Sequence, residues 1–424
     1  MGRVGGMTLT LDAPTVSRPT LTIDTAAVTA NVATIRGYTP GEIMAVVKAD
    51  GFGHGMVHVA RAALAGGASR FGVTSLDEAF ALREAGFTQR VLSWLNPVDA
   101  DFAAARARDV EIAVPSRAHL DAIVRRAPGT RIHLQLDTGL ARDGASPTEW
   151  PALCAAAWRA EQRGLVTVVG VMGHLPCAAQ PGHPANKRGR QRFVWGVQVA
   201  RAMGLRPADR HLAATAATLT DPASHHTMSR IGAGLVGIDE SRTVRLRPAL
   251  RLVAPVVMVR TVEPGTPVGY GHTWTSCRTT RLGLVAVGYA DGLPRSAHGR
   301  AEVLVCGVRR PVVGQLSMDM IVVDLGPDSA ACPADVGTMV TIFGWGEEGE
   351  PTVADWARWA GTSEHEIVTR LGPRLRRVVV NSAQLAGAES ASNSAQLAGA
   401  ESASNSAQLA GAESASNSGT GVPA

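Results

Sequence analysis

Short runs rich in β-branched residues alternate with helical segments between about residue 25 and residue 240 of this 424-residue chain. Eight of these runs have the character of strands: Ile43–Lys48, Phe71–Thr74, Val91–Leu95, Val110–Val114, Ile132–Asp137, Val166–His174, His211–Ala214 and the region around Met228–Gly232. Strands separated by helices pair in parallel, so eight successive units predict a (β/α)8 barrel. A doubly wound open sheet is the alternative, because counting units does not by itself close a barrel.

Local capping chemistry supports the helical half of this pattern. Ser75 and Glu78 have the spacing of a capping box, and Leu76, Ala79 and Phe80 recur at helical spacing. Gly86 stands where that helix is expected to stop.

The pattern changes after about residue 246, where strand-like runs are separated by Gly, Pro and Asp clusters that leave no room for crossover helices. These runs are Val256–Val262, Leu282–Val287, Glu302–Cys306, Val312–Gly314, Met320–Leu325 and Thr338–Phe343. They predict a mostly antiparallel β domain with one helix near Val353–Ala360.

The expected domain division has four parts. A disordered N-terminal extension covers residues 1–18, the barrel 19–246, the β domain 247–380 and a low-complexity tail 381–424. In the tail, the twelve-residue unit NSAQLAGAESAS repeats three times, and one leucine per unit offers too little apolar surface for a stacked repeat. We expect a disordered tail, with a transient helix in each unit as the alternative.

Composition argues against several classes of function. The 41 basic and 36 acidic residues give a net charge of +5, without a basic run interleaved with aromatics, so no nucleic-acid partner is expected. Five scattered cysteines without a CxxC pair predict neither a disulfide framework nor a zinc site. No apolar run of about 18 residues and no secretory leader is evident, so we expect a cytoplasmic protein without a membrane partner, with Met7 as an alternative start.

The three histidines His211, His225 and His226 are the candidates for a metal site. Adjacent histidines point to opposite sides of a strand, and no carboxylate companion is spaced with them. The sequence therefore predicts no metal site.

Lys48 ends a β-branched run and is followed by the glycine-rich segment Gly51-Phe52-Gly53-His54-Gly55. Partial burial would favour the neutral amine, which is the form that attacks carbonyls and makes Schiff bases. The structural alternative is a lysine whose stem lies on the core while its charged end reaches solvent.

Barrel enzymes carry their chemistry at the C-terminal ends of the strands. At those positions this chain has Lys48, Arg142, His174, Thr215, Arg230 and the small residues Gly232 and Ala233. Any one of them can serve as a rim ion pair, a turn or a cap. Together, an imine-forming lysine, two arginines and a small-residue phosphate cradle favour pyridoxal 5′-phosphate as cofactor.

Seven segments in order make the chain resemble the alanine racemase family over about residues 19 to 380. They are RPTLTID at 18–24, AVVKADGFGHG at 45–55, HLQLDTGLAR at 133–142, GVMGHLPCA at 170–178, VGYGHTW at 268–274, GYADGLPR at 288–295 and GQLSMDM at 314–320. The resemblance implies a pyridoxal-phosphate-dependent isomerase that interconverts L- and D-alanine and supplies D-alanine for peptidoglycan. It also implies a homodimer whose subunits share each active site.

The resemblance further implies two bases on opposite faces of the substrate carbon. Lys48 would bind the cofactor covalently and act on one face, while Tyr270 would act on the other from the β domain of a partner subunit. Racemisation needs such a pair, because a proton removed from one face must be returned to the other.

Binding roles are implied in the same way. Arg230 would face the pyridine nitrogen and discourage transamination, and His174 would orient Arg230 and Tyr270. The remaining roles are Arg142 and the backbone at Met318 for the substrate carboxylate, Tyr289 and Asp319 for the entrance, and Thr215, Gly232 and Ala233 for the phosphate.

The chain departs from the family pattern at four places. Phe52 and His365 stand where phosphate-binding tyrosines are usual, Ala213-Ala214-Thr215 replaces an Asn-Ser pair, and Gln135 replaces a lysine that supports the arginine. We expect Gln135 to accept a hydrogen bond from Arg142 instead, since an amide oxygen can do so. Because the phosphate site loses several of its usual hydrogen-bonding side chains, we expect weaker cofactor binding.

Other functions stay open at this point. A racemase of another small amino acid such as serine, a basic amino-acid decarboxylase on the same barrel, and a non-catalytic cofactor- or inhibitor-binding homologue are the alternatives. Arg230 argues against the decarboxylase, because an acidic partner of the pyridine nitrogen would be expected there.

Overall fold

The computed structural model describes residues 18–327 and 333–382. The chain divides into two compact units, Met1–Val379 and Val380–Ala424, and the architecture below belongs to the first. The expected N-terminal extension, apart from Arg18, and the repeat tail from residue 383 onward lie outside the described residues.

Eight parallel strands form one sheet in which each lies beside its sequence neighbour. They are Glu42–Val46, Arg70–Val73, Val91–Ser93, Val110–Val114, Thr130–Gln135, Val166–Met172, Asp209–His211 and Met228–Ile231. The last strand pairs with the first, Arg230 lying beside Met44, and a parallel bridge between Ala214 and Arg230 joins the last two strands. The sheet is therefore closed, so the predicted barrel is confirmed and the open sheet is wrong.

Eight right-handed helices connect or flank these strands within the described ranges, besides the short left-handed segment Lys48–Gly53: Thr25–Arg36, Met56–Ala65, Leu76–Glu84, Phe102–Ala107, Arg117–Arg126, Trp150–Gln162, Pro184–Ala202 and Thr215–Thr220. The predicted capping box of Ser75 and Glu78 is present, and its helix ends two residues before Gly86. The helices bury apolar side chains such as Ile35, Val59 and Leu82 completely. Each such side chain contributes about 1.5–3 kcal/mol through removal of apolar surface from water.

A second sheet is antiparallel, and all but one of its strands follow the barrel in the chain, as the sequence predicts. Its strands are Thr20–Asp24, Leu250–Val262, Thr280–Val285, Glu302–Val305, Val308–Val313, Ile321–Gly326, Met339–Phe343 and Arg376–Val380. A separate hairpin pairs Pro267–Val268 with Trp274–Thr275. The expected helix Val353–Ala360 is present, whereas the helix Glu364–Thr369, which carries His365, was not predicted.

The strand Thr20–Asp24 shows how the two parts are joined. It precedes the barrel in sequence but pairs with Leu250–Val253 in the antiparallel sheet. The predicted barrel domain, residues 19–246, thus contains a strand of the second sheet, and the exact domain boundaries stay a prediction. No helix in the described ranges is both long and apolar enough to cross a membrane.

A left-handed turn follows the first barrel strand. Residues 49–52 all have φ between 52° and 61°, although three of the four carry side chains. This conformation costs roughly 1–2 kcal/mol for each residue other than glycine. Contacts offset the cost: Ala49 N–H donates to Glu78 Oε1 at 2.8 Å, and Arg377 Nη1 donates to Gly53 O at 2.6 Å. The second domain therefore helps to hold the segment that follows Lys48.

Gly53 allows this close approach, and its replacement should be destabilising. Its φ is +77°, and a Cβ built there would lie 2.3 Å from Val368 O. We expect Gly53→Ala to lower the free energy of unfolding by more than the roughly 1–2 kcal/mol that positive φ alone costs. Gly86→Ala is the matched control, because its φ is +87° but nothing lies within 4 Å of the built Cβ. Equal losses in chemical denaturation would show that the contact with Val368 is unimportant.

Candidate functional site

A cavity of about 340 Å³ opens at the C-terminal ends of the barrel strands. Its lining includes the seven barrel residues predicted from sequence, namely Lys48, Arg142, His174, Thr215, Arg230, Gly232 and Ala233. They converge because parallel strands of a closed barrel end at the same rim.

Lys48 is half-buried and directly follows Val47 at the end of the first barrel strand. Burial lowers the pKa of its ammonium group, and the positive charge of Arg142 lowers it further. Both effects penalise the charged form. At a given pH, a larger fraction of Lys48 is thus neutral than of a solvent-exposed lysine, and the neutral amine is the form that attacks carbonyls or takes up a proton.

Arg230 is the most constrained charge in the site, since only 5% of the residue is exposed. Its Nη1 donates to His211 O at 2.8 Å, and its Nη2 donates to Gly173 O at 2.7 Å and to Leu212 O at 3.2 Å. Burial lowers its pKa to about 10, which leaves the guanidinium charged at neutral pH. The cavity therefore has a fixed positive group at its base.

His174 lies beside that guanidinium. Thr138 holds its backbone, accepting from His174 N–H at 3.0 Å and donating to His174 O at 2.6 Å. His174 Nδ1 lies 3.2 Å from Arg230 Nη2, and a guanidinium can only donate, so Nδ1 must accept. Burial first, then the charges of Arg230, Arg142 and Lys48, lower the pKa of His174 to about 3. The imidazole is neutral.

Small residues shape the opposite end of the cavity. A Cβ on Gly232 would lie 2.7 Å from Phe52 Cζ, so only glycine leaves room there. Thr215 Oγ1 accepts from Gly234 N–H at 3.2 Å, which leaves its hydroxyl hydrogen able to donate. This end can receive an anion through hydroxyl and backbone N–H groups.

A contact between a histidine and a carboxylate lies beside the same end. His365 Nδ1 lies 3.2 Å from Glu240 Oε1, and the ring of His365 lies 5.9 Å from that of Phe52. The hydrogen bond from His365 lowers the pKa of Glu240 despite opposing burial, so the carboxyl is ionised. Both departures from the family tyrosines thus line one cavity.

The expected hydrogen bond from Arg142 to Gln135 is contradicted. Gln135 Nε2 donates to Asp143 Oδ2 at 3.0 Å, while Gln135 Oε1 is buried without a partner in the described ranges. The amide N–H is thus used by the carboxylate of Asp143, whereas the amide oxygen, which would have had to accept from Arg142, makes no hydrogen bond. Gln135, Arg142 and Asp143 all line the cavity.

Four predicted residues lie away from this cavity on the second domain. Tyr270 is 71% exposed, Met318 54% and Tyr289 37%, and Arg374 Nη1 donates to Asp319 Oδ1 at 2.6 Å. Their loops meet, because Tyr289 N–H donates to Ser317 O at 3.0 Å. Within the described part of one chain, none of the four belongs to the cavity lining.

Sequence reasoning missed further lining residues, namely Trp94, Asp143, Met172 and Glu240. Trp94 follows a barrel strand and Met172 ends one, so strand ends were a usable signal. His211, which was weighed as a metal ligand, instead contacts Arg230. Among the described residues no group of three or more His, Cys, Asp or Glu side chains is arranged to hold a metal ion.

Comparison with known proteins places this chain beside one family over both of its domains. The family model of the alanine racemase N-terminal domain matches residues 23–240, and that of the C-terminal domain matches residues 249–379. The alanine racemase of Frankia casuarinae is 45% identical over 344 residues, which is 79% of this chain and 88% of that protein. Two solved structures share the fold. The alanine racemase of Streptomyces coelicolor A3(2) has a TM-score of 0.83 and 41% identity, over 87% of this chain and all of that one. That of D-cycloserine-producing Streptomyces lavendulae has a TM-score of 0.83 and 39% identity, over 87% of this chain and 98% of that one.

Buried neutral histidines beside the site should make stability depend on pH. His54 is 1% exposed, and burial lowers its pKa to about 4, below the ordinary 6.5. Between these values the unfolded chain binds more protons, so His54 lowers stability as pH falls, by up to about 1.4 kcal/mol per pH unit. Unfolding at pH 7 to 4 should therefore be less pH-dependent in His54→Gln than in the parent. The exposed His298→Gln is the control, and equal slopes in both variants would contradict the assignment.

Proposed function

We propose that this chain, which belongs to the alanine racemase family, interconverts L- and D-alanine with pyridoxal phosphate in a site completed by a second copy of itself. Relatives named alanine racemase span most of its length at more than 40% identity, which supports this reaction over the alternatives. The observation that supports the proposal is that the two candidate bases lie apart within one chain. Lys48 lines the barrel cavity, whereas Tyr270 is exposed on the second domain, where it is available to a second copy of the chain.

The cavity residues fit pyridoxal phosphate, on which this family generally depends. Lys48 would bind the aldehyde, Arg230 would face the ring nitrogen, and Thr215, Gly232 and Ala233 would bind the phosphate. The room that Gly232 leaves and the lowered pKa of Lys48 support this assignment. When bound, the cofactor supplies an electron-withdrawing ring that acidifies the hydrogen on the α-carbon of the substrate.

Two residues of this chain would move the proton. Lys48 Nζ, favoured in its neutral form by burial, takes the proton from one face of the α-carbon or returns it there. Tyr270 Oη does the same on the other face. Because one base would return the proton to the face it left, inversion requires both.

Arg230 would control where the proton goes. Its guanidinium donates hydrogen bonds but keeps its protons, since a pKa of about 10 leaves it charged. Arg230 would thus donate a hydrogen bond to the ring nitrogen without protonating it. In this way Arg230 would limit electron withdrawal by the cofactor and favour return of the proton to the α-carbon over transamination.

Substrate contacts would come from both domains. Arg142 and the backbone at Met318 would receive the carboxylate, and Tyr289 and Asp319 would line the entrance. The ion pair between Arg374 and Asp319 supports a fixed position for that aspartate. We further infer that the protein works in the cytoplasm as a homodimer and supplies D-alanine to peptidoglycan synthesis.

Racemisation in deuterated water tests the function directly. Incubation with L-alanine should yield D-alanine with deuterium at the α-carbon, because the returned proton comes from a group that exchanges with solvent. Deuterium exchange without inversion would leave only one working base, and the absence of both would support a binding protein.

A shared site predicts complementation between two inactive variants. Lys48→Ala should lose both racemisation and the near-visible absorbance of bound cofactor, whereas Tyr270→Phe should lose racemisation alone. After subunit exchange, a mixed dimer has one site with both defects and one with neither, so about half the activity per mixed dimer should return. Unmixed variants carried through the same exchange are the controls. No recovery, with exchange shown by mass spectrometry, would contradict a shared site.

The phosphate end should bind the cofactor weakly compared with a site that bears tyrosine. Glu240 Oε1 lies 3.2 Å from His365 Nδ1, so this carboxylate competes with a phosphate for a hydrogen on that nitrogen. Phe52 Cζ lies against Gly232, where a hydroxyl could reach the anion. A hydrogen bond to a charged group contributes about 1.5–3 kcal/mol, so Phe52→Tyr should tighten binding roughly tenfold to a hundredfold. Phe52→Leu is the control, and equal cofactor Kd values for parent and Phe52→Tyr would refute this prediction.

A further inference from the structure

A file of buried polar side chains runs through the interior of the barrel to Arg230. Glu111 Oε2 lies 3.0 Å from His133 Nε2, His133 Nδ1 lies 2.9 Å from His211 Nε2, and His211 Nδ1 lies 3.0 Å from Arg230 Nη1. Glu111 is 1% exposed and both histidines are 0% exposed. Buried polar groups on this scale are expensive unless every one of them is paired.

The chemistry of the ends fixes every hydrogen in this file. Arg230 can only donate, so His211 Nδ1 must accept, and the hydrogen of the neutral ring then sits on Nε2. His211 therefore donates to His133 Nδ1, which places the His133 hydrogen on Nε2. That nitrogen donates to Glu111, which accepts as a carboxylate. Burial, and next the charge of Arg230, lower the pKa of His211 well below its usual value, in agreement with a neutral ring.

The far end of the file is anchored in an ionic layer at the N-terminal ends of the barrel strands. Glu111 Oε1 accepts from Arg90 Nε at 2.5 Å and from Arg131 Nε at 3.0 Å. Burial alone would raise the pKa of Glu111, but hydrogen bonds from His133 and Arg90 outweigh it and hold the pKa at about 2. The carboxylate thus keeps its charge throughout the pH range of interest.

We propose that Glu111 is a positioning residue for Arg230. It fixes the tautomers of His133 and His211, and thereby the hydrogen bond that His211 Nδ1 accepts from Arg230. The proposal rests on the proposed function, in which Arg230 faces the ring nitrogen of the cofactor. Because all three hydrogen bonds point the same way, the carboxylate strengthens His211 Nδ1 as an acceptor. Arg230 is then held by this chain of imidazoles in addition to His174 and the backbone carbonyls of neighbouring strand ends.

Glu111→Gln is the sharpest test, because it keeps the shape of the side chain and should reverse the direction of the hydrogen bonds along the file. Arg90 and Arg131 both need an acceptor, so they should take the amide oxygen and turn the amide NH₂ toward His133. His133 Nε2 must then accept, which moves its hydrogen to Nδ1 and forces the same change on His211. His211 Nδ1–H would now oppose Arg230 Nη1–H, and the hydrogen bond to Arg230 would be lost.

The matched control is Glu42→Gln. Glu42 belongs to the same ionic layer, but its side-chain partners are Arg70 and Ser69 rather than a histidine. Glu111→Asp, which keeps the charge, is the conservative variant for rescue.

The first measurement is nitrogen NMR of the full chain labelled with ¹⁵N-histidine, with and without added pyridoxal phosphate. In the parent and in Glu42→Gln, His133 and His211 should both carry hydrogen on Nε2 between pH 6 and pH 9. In Glu111→Gln both should carry it on Nδ1. A parent spectrum with either ring as the other tautomer or as imidazolium overturns the proposal, even if the Gln variant fails to fold.

The second measurement is steady-state racemisation with cofactor absorbance. Loss of a hydrogen bond to a charged group should lower kcat about tenfold to a hundredfold in Glu111→Gln, with KM for alanine changed less than about threefold. The absorbance maximum of bound cofactor should shift, and Glu111→Asp should recover most of kcat. A tautomer change that leaves kcat and absorbance as in Glu42→Gln overturns the link to Arg230. If the parent has no racemase activity, the proposed function fails, while the NMR measurement still decides whether Glu111 sets the tautomers.

Discussion

The buried guanidinium of Arg230 is the interaction on which the barrel interior depends. An unpaired charge in that position would cost several kcal/mol, so each of its donors must find an acceptor. The acceptors come from the ends of neighbouring strands, where Gly173, His211 and Leu212 offer carbonyl oxygens. Arg230 lies beside Met44 of the first strand and also bridges Ala214. The residue that faces the cavity therefore also closes the barrel.

Paired charges also lie at the end of the barrel opposite the cavity. The N-terminal ends of the strands carry an ionic layer in which Arg70 and Arg90 share Asp209, at 2.7 Å and 2.9 Å. Glu111 belongs to this layer through Arg90, and to the buried histidines through its other oxygen. A (β/α)8 barrel usually fills its interior with branched apolar side chains. This barrel instead carries the file of polar side chains in its interior. Their burial would be strongly destabilising if their hydrogen bonds were not complete.

The second domain acts on the site in two separate ways. Within one chain, Arg377 and the backbone at Val368 hold the left-handed turn after Lys48, so they help to fix where the lysine points. The other is a proposed one, because Tyr270 is exposed on an outer surface beside the loops of Tyr289 and Met318 and lies outside the cavity of its own chain. In the proposed homodimer a second subunit would cover this exposed phenol.

The sequence by itself determined the barrel, the antiparallel domain and the group of residues at the cavity, because each rests on a local pattern. Runs of β-branched residues set strands, the Ser75–Glu78 box set a helix start, and parallel strands necessarily deliver Lys48 and Arg230 to one rim. Only the tertiary structure decided which distant groups pair. Thr20–Asp24 joined a sheet more than 200 residues further along the chain, and Gln135 turned to Asp143 rather than Arg142. Glu111 met His133 across 22 residues, and His133 met His211 across 78. Such contacts follow from the free energy of satisfying buried polar groups in the folded barrel, and no local period in the chain records them.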